Sequence, residues 1–123
     1  MAYQLKWIAP SQVLLVSLEA HVDWSDYKKL NEKLVEELNG ETFPVDIVID
    51  ASRVEHFPTD MKALEPLNDY LRHPHLRWVM LSGRNKLLRL IMTVMCHKVD
   101  QHIYFYNSLG DALSSLQAPV NYS

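Results

Sequence analysis

The chain has 123 residues, 48% of them hydrophobic and 22% charged, which suffices for one buried core and excludes a disordered or fibrous chain. Twelve Lys and Arg stand against 15 Asp and Glu, a net charge of −3 spread along the chain, which offers no basic footprint for a nucleic-acid backbone. The lone cysteine, Cys96, excludes an intramolecular disulfide, and its apolar surroundings in the sequence point to a reducing compartment, the cytoplasm.

We expect one domain over residues 1–123, since the length leaves no room for two ordinary ones. The N-terminal stretch lacks the basic start and apolar run of a signal peptide. The longest apolar stretch, Leu87 to Cys96, is interrupted by Arg89 and Thr93 and falls well short of the ~20 residues that span a bilayer.

Tyr3 to Ile8 and Val13 to Leu18 read as two strands, and Ala9-Pro10-Ser11-Gln12 between them has the length of a hairpin turn. Asp23 or Ser25 then caps a helix whose apolar positions Tyr27, Leu30, Leu34, Val35 and Leu38 recur at three- and four-residue spacing. Asn39-Gly40 supplies its expected left-handed stop. Val45 to Asp50, β-branched and following Pro44, reads as a strand buried on most of both faces, which leaves Asp50 at a carboxyl edge of the sheet.

A second helix is expected after Thr59 as its cap, with Met61, Leu64, Leu67 and Leu71 on one side and Pro66 kinking it or delaying its start. Leu76 to Ser82, stopped by Gly83, reads as the fourth strand. Asn85 caps a third helix reaching about Val99, His102 to Tyr106 forms a fifth strand, and Ser108 caps a closing helix striped by Leu109, Ala112, Leu113 and Leu116. The order ββαβαβαβα predicts an α/β fold: a mixed, mostly parallel five-stranded sheet with four helices.

Thr59 is the sharpest single candidate, because a phosphate at a helix start would meet the positive end of that helix. The third helix carries apolar residues over about two-thirds of its circumference, more than one sheet contact covers. Either neighbouring helices bury the remainder, or Leu88, Met92, Met95 and Cys96, with Arg89 among them, are interface residues for a protein partner, a second copy forming a homodimer, or an apolar small ligand. His73 and His75 lie in a Pro-broken loop with no further ligand at a recurrent interval, so no metal site is expected. No glycine-rich phosphate cradle, nucleophile elbow or paired-carboxylate motif is present, so neither a cofactor nor a catalytic role is expected.

Three segments carry a family likeness. Ile49 to Asp60 looks like a strand-to-helix junction in which an acid and a serine close the strand and a loop delivers a hydroxyl to a helix. Leu76 to Gly83, running into a long apolar helix, is similar to the next repeat. Tyr104 to Leu113 supplies an aromatic strand end followed by serine-leucine and alanine-leucine pairs. In this the chain resembles the STAS, or SpoIIAA-like, family of anti-sigma-factor antagonists. The resemblance implies the fold just described and a non-catalytic regulatory or scaffolding module of bacterial type. Its implied partner is a protein such as a regulatory kinase or anti-sigma-like factor, with a small-ligand or lipid-binding role as the alternative. It also implies a partner junction or phospho-switch at Asp50, Ser52, His56, Thr59 and Asp60. The stretch where that family carries its phosphorylated serine reads Pro58-Thr59-Asp60-Met61 here, with one hydroxyl kept.

Overall fold

The computed structural model describes residues 2–9 and 12–121. Five strands, β1 (Tyr3–Ala9), β2 (Val13–Leu18), β3 (Val45–Asp50), β4 (Leu76–Ser82) and β5 (Ile103–Tyr106), form one sheet among these residues in the order β1-β2-β3-β4-β5. β1 runs antiparallel to β2 and every other neighbour pair is parallel, so the mixed α/β architecture expected from the sequence is the one found. Part of the expected turn between the first two strands, Pro10-Ser11, lies outside the described residues.

Because the parallel strands follow one another in sheet order, crossovers of one hand place every connecting helix on the same face. α1 (Trp24–Asn39), α2 (Met61–Leu64) and α3 (Lys86–Lys98) are these connections, and α4 (Leu109–Asn121) closes the chain. The core accordingly divides in two. Leu14, Val16, Ile47, Ile49, Val79 and Leu81 face the three connecting helices in the larger part. Val13, Val48 and Met80 pack with Ala112 of α4 in the smaller. Strand β3 is buried on both sides because its alternate residues serve different layers. No helix among the described residues is long and apolar enough to cross a membrane.

The caps explain most boundaries. Asp23 and Asp26 form a reciprocal capping box at the start of α1, and the Asp26 amide on its carboxylate holds Asp23 below the ordinary carboxyl range. Gly40 ends that helix at φ −77°, not in the expected left-handed turn. The left-handed stop is found instead after α3, at Asp100 with φ +57°. There the Gln101 amide donates to Cys96 O and the Asp100 amide to His97 O, the two bonds of a Schellman motif.

The second helix departs most from expectation. Asp60, not Thr59, caps it, accepting from the Lys62 and Ala63 amides, and α2 is a single turn. Pro66 lacks the amide that a continuing helix needs, and the chain proceeds as 3-10 turns over Glu65–Leu67 and Tyr70–Arg72. A buried polar network fixes this segment to α1. The Asn68 amide group donates to the carbonyls of Leu64 and Glu65 while its oxygen accepts from Tyr27. The Tyr27 and Tyr70 hydroxyls meet at 2.8 Å, and the Tyr70 amide donates to Asn31. Burial pushes both phenols above their ordinary range, so both stay protonated and neutral.

Candidate functional site

The carboxyl ends of β3 and β4 are stitched together. The Ala51 amide donates to Ser82 O at 2.8 Å, and the Gly83 amide donates to Tyr106 O at 2.9 Å. Asp50 Oδ1 accepts from Ser52 Oγ (2.5 Å), the Ser52 amide (3.2 Å) and Ser82 Oγ (3.0 Å). One oxygen of this carboxylate is thus engaged by three neutral donors, which orders the junction.

Gly83 makes this closeness possible. Its φ is +135°, and a Cβ there would lie 3.1 Å from Ala51 C and 3.2 Å from Ala51 O, so a side chain would be strained in conformation and crowded against backbone. Arg89 locks the arrangement from α3. Its guanidinium donates to Gly83 O at 2.9 and 2.6 Å, to Tyr106 O at 3.1 Å and to Asn107 at 3.3 Å, and it lies over the Phe105 ring. Arg89 is therefore a strap between strand ends, although the sequence suggested an interface residue.

Beyond the strand end, the loop turns onto the side of the sheet covered by the three connecting helices. The Glu55 and His56 amides donate to Ala20 O, and the Val22 amide donates to His56 O, which brings the His21 and His56 rings to 5.4 Å. A groove of about 200 Å³ opens between this loop and α3, lined by Glu55, His56, Phe57, Thr59, Asn85, Leu87, Leu88 and Ile91. Thr59 is exposed on it, with Asp60 next in sequence committed to capping α2. The five junction candidates thus separate. Asp50 accepts from both Ser52 and Ser82, and His56 and Thr59 share the groove, while Asp60 stands apart from both as the cap of α2.

The structure redistributes the apolar residues of α3. Leu88, Met92, Met95 and Cys96 are buried in the larger core, which removes them from any surface and corrects their assignment as interface residues. Burial pushes the Cys96 thiol up to about 12. The exposed apolar residues of this helix are instead Leu87 (54%) and Leu90 (59%). A signal for this was present: at about 100° per residue, Leu88, Ile91, Met92, Met95 and Cys96 fill one arc of about 140°. Leu87, Leu90 and Val94 occupy a separate flanking arc of about 60°.

Two further features have no counterpart in the sequence reading. The register jumps where Val45 pairs with Leu76 and Asp46 with Trp78, so Arg77 is an extra residue in β4. Its guanidinium makes two bonds to the buried Asp46 carboxylate, at 2.9 and 2.6 Å, and stacks 4.5 Å from the Trp78 ring. Beside it, on the α4 side, a cavity of about 180 Å³ is lined by Trp78, Met80, Tyr104, Tyr106 and Ser115.

The loop histidines serve the amino end of the sheet. His73 Nδ1 accepts from the His75 amide at 3.0 Å, His73 Nε2 lies 2.7 Å from Asn39 Oδ1, and His75 Nδ1 lies 2.9 Å from Leu38 O. These partners fix His73 as the neutral tautomer carrying its proton on Nε2. Burial, aided by the neighbouring His75, lowers its affinity for a second proton. No group of three or more His, Cys, Asp or Glu side chains among the described residues is arranged to hold a metal ion.

Comparison with known structures identifies the fold as SpoIIAA-like. The anti-sigma factor antagonist SpoIIAA in its unphosphorylated form is matched at a TM-score of 0.63 and 12% identity, over 94% of this chain and 98% of that one. The Bacillus cell fate determinant SpoIIAA in its phosphorylated form is matched at 0.64 and 11%, over 94% and 99%. An uncharacterized protein from Shewanella loihica with a SpoIIAA-like fold gives 0.64 and 16%, over 94% and 92%. No protein-family model and no curated protein matches the sequence.

Proposed function

We propose that the chain is a non-catalytic regulatory or scaffolding module, acting in the cytoplasm, that binds a protein partner through the β3–α2 junction and the exposed face of α3. The observation that carries this reading is the groove between Glu55–Thr59 and α3, with Leu87 and Leu90 exposed on the same helix. A groove of mixed polarity with Leu87 in its lining, and Leu90 exposed on the same helix, suits a protein contact with a buried centre and a wet rim. The likeness to SpoIIAA, an anti-sigma factor antagonist with a phosphorylated form, supports a protein partner of the regulatory-kinase or anti-sigma kind.

A phosphate on Thr59 would act in this setting by repulsion. One helical turn at α2 supplies little dipole to hold it, whereas Asp60 is adjacent and Glu55 lines the same groove. Modification would therefore reduce, not create, an attraction for an acidic partner surface.

The test is photo-crosslinking from position 94, at the rim of the exposed arc, in cells that make the protein. A discrete protein adduct is expected, lost in Leu87→Asp/Leu90→Asp. Each apolar anchor removed should weaken binding about tenfold, while stability changes by less than about 0.5 kcal/mol because both side chains are exposed. An adduct of undiminished yield in the double variant would refute the assignment of this face.

A second reading, binding of a small apolar ligand, is favoured by the aromatic cavity between Trp78, Tyr104 and Tyr106. Its volume is below the roughly 300 Å³ at which ligand pockets begin, so its occupant would be of single-ring size and not a lipid tail. Native mass spectra of the purified protein test this: the bare mass alone would exclude a retained ligand, and an adduct lost in Tyr106→Ala would place it.

A further inference from the structure

The outer edge of β1 is an unused pairing surface. β1 is the terminal strand of the sheet, with no strand on its far side among the described residues. Antiparallel partners alternate between pairs that exchange hydrogen bonds and pairs that do not. The Glu19 amide donates to Ala2 O at 2.8 Å, one step beyond the register Tyr3–Leu18, Gln4–Ser17, Leu5–Val16. Ala2, Gln4 and Lys6 are thus the positions bonded to β2, and Tyr3, Leu5 and Trp7 direct their amides and carbonyls outward.

The side chains obey the same alternation. Tyr3, Leu5 and Trp7 lie half-buried against the larger core, whereas Gln4 and Lys6 are exposed on the other face. An open cleft of about 630 Å³ runs beside this edge, lined by Tyr3, Gln4, Leu5 and Lys33. Lys33 is compensated within α1 by Glu36 and Glu37, so the cleft carries no unpaired charge of its own.

We infer that this edge pairs with β1 of a second copy of the chain, antiparallel and centred on Leu5. In that register Tyr3 opposes Trp7 of the second copy and Leu5 opposes Leu5. All three outward-directed positions then bond outward positions, giving about six backbone hydrogen bonds at two per bonded pair. The two aromatic pairs and the leucines continue one apolar strip along the α1 face, and the second copy's Leu5 and Trp7 enter the cleft. On the opposite face Gln4 meets Lys6 of the second copy twice over.

Charge selects this register among those that use the same backbone groups. A slip of two residues one way sets Lys6 against Lys6, which like charge disfavours. The slip the other way takes Trp7 past Tyr3 and out of the described ladder. The register jump between Trp7 and Ala9, a bulge at Ile8, ends the pairing surface after Trp7. The contact is isologous and uses up β1 in both copies, so it closes at two. It is remote from the groove at α3, since β2 and β3 intervene between β1 and β4, and a dimer of this form presents two copies of that groove.

Sedimentation equilibrium over a concentration series, on the full chain, tests the inference with charge changes at exposed position 4. Gln4→Glu places two carboxylates against the two Lys6 side chains and should tighten the dimer by about two- to thirtyfold. Gln4→Lys should weaken it by a similar factor, with both effects shrinking as salt is raised. Leu5→Pro removes an outward amide without removing a bond to β2 and should give a monomer, its urea midpoint reporting that it still folds. A wild-type chain that remains monomeric to millimolar concentration overturns the inference. So does a dimer whose dissociation constant is the same in Gln4→Glu and Gln4→Lys.

Discussion

Replacing Gly83 by alanine is the sharpest test of how the junction is built. The backbone there has φ +135°, a conformation that costs a residue with a Cβ about 1–3 kcal/mol. The added carbon would also meet Ala51 C at 3.1 Å, Ala51 O at 3.2 Å and the Ser52 amide nitrogen at 3.3 Å. These are backbone atoms fixed by the Ala51–Ser82 bond, so relief requires the two strand ends to separate, at a further 1–3 kcal/mol or so. A destabilisation of about 3 kcal/mol or more is expected in urea titration, with a fall in Tm of about 10 °C. The other two glycines are internal controls. At Gly40 the nearest contact to an added Cβ is 3.6 Å and at Gly110 it is 3.8 Å, and neither has a positive φ, so alanine should be neutral or stabilise by up to about 1 kcal/mol. A Gly83→Ala loss below about 1 kcal/mol, or equal losses at all three positions, would refute the close-approach argument.

Arg77→Met leaves the buried Asp46 carboxylate without its two bonds and should cost about 2–3 kcal/mol, less than for a wholly buried pair because Arg77 is half-exposed. Asp46→Asn combined with Arg77→Met should recover part of it in the same denaturation assay. For His73, whose folded-state pKa is lowered from 6.5, the unfolded chain binds the proton more readily. Stability therefore falls as pH drops below about 6.5. His73→Gln, measured by urea titration between pH 8 and 5, should flatten that part of the slope. With its thiol pushed up to about 12 by burial, Cys96 should react with an aromatic disulfide reagent at pH 8 only through unfolding. Labelling should accelerate in step with added urea, and rapid labelling of the native protein would contradict its burial.

The strands were legible because their hydrophobic runs are self-sufficient. β2, β3 and β4 lie where their β-branched and aliphatic runs predict them, and the sheet faces follow from alternation. The segment from Asp60 to Arg72 was not, although Met61, Leu64, Leu67 and Leu71 keep helical spacing. Its conformation is decided by Pro66 and by tertiary bonds from Asn68 and Tyr70 to Tyr27 and Asn31, which join residues about 40 positions apart. Asp100 illustrates the same limit on a smaller scale. A left-handed aspartate is rare enough that the end of the third helix at Val99 carries no sign of this turn, whereas Gly40 after the first helix suggests one that the backbone there does not adopt.

The candidate site was half legible for a geometric reason. Sequence brings Asp50, Ser52, His56, Thr59 and Asp60 to one strand end, but it does not say on which side of the sheet each emerges. Asp50 continues the alternation of Asp46 and Val48, and Ser82 that of Met80, so their hydroxyl–carboxylate cluster belongs to the layer of α4. The loop then crosses the sheet edge, pinned by Ala20 and His21, and delivers His56 and Thr59 to the layer of α3. Any partner in the groove reads the second pair directly and the first only through the shared backbone at Ala51. Ser52→Ala should therefore loosen the junction without abolishing contact, whereas Leu87 and Leu90, which no motif marked, should govern it.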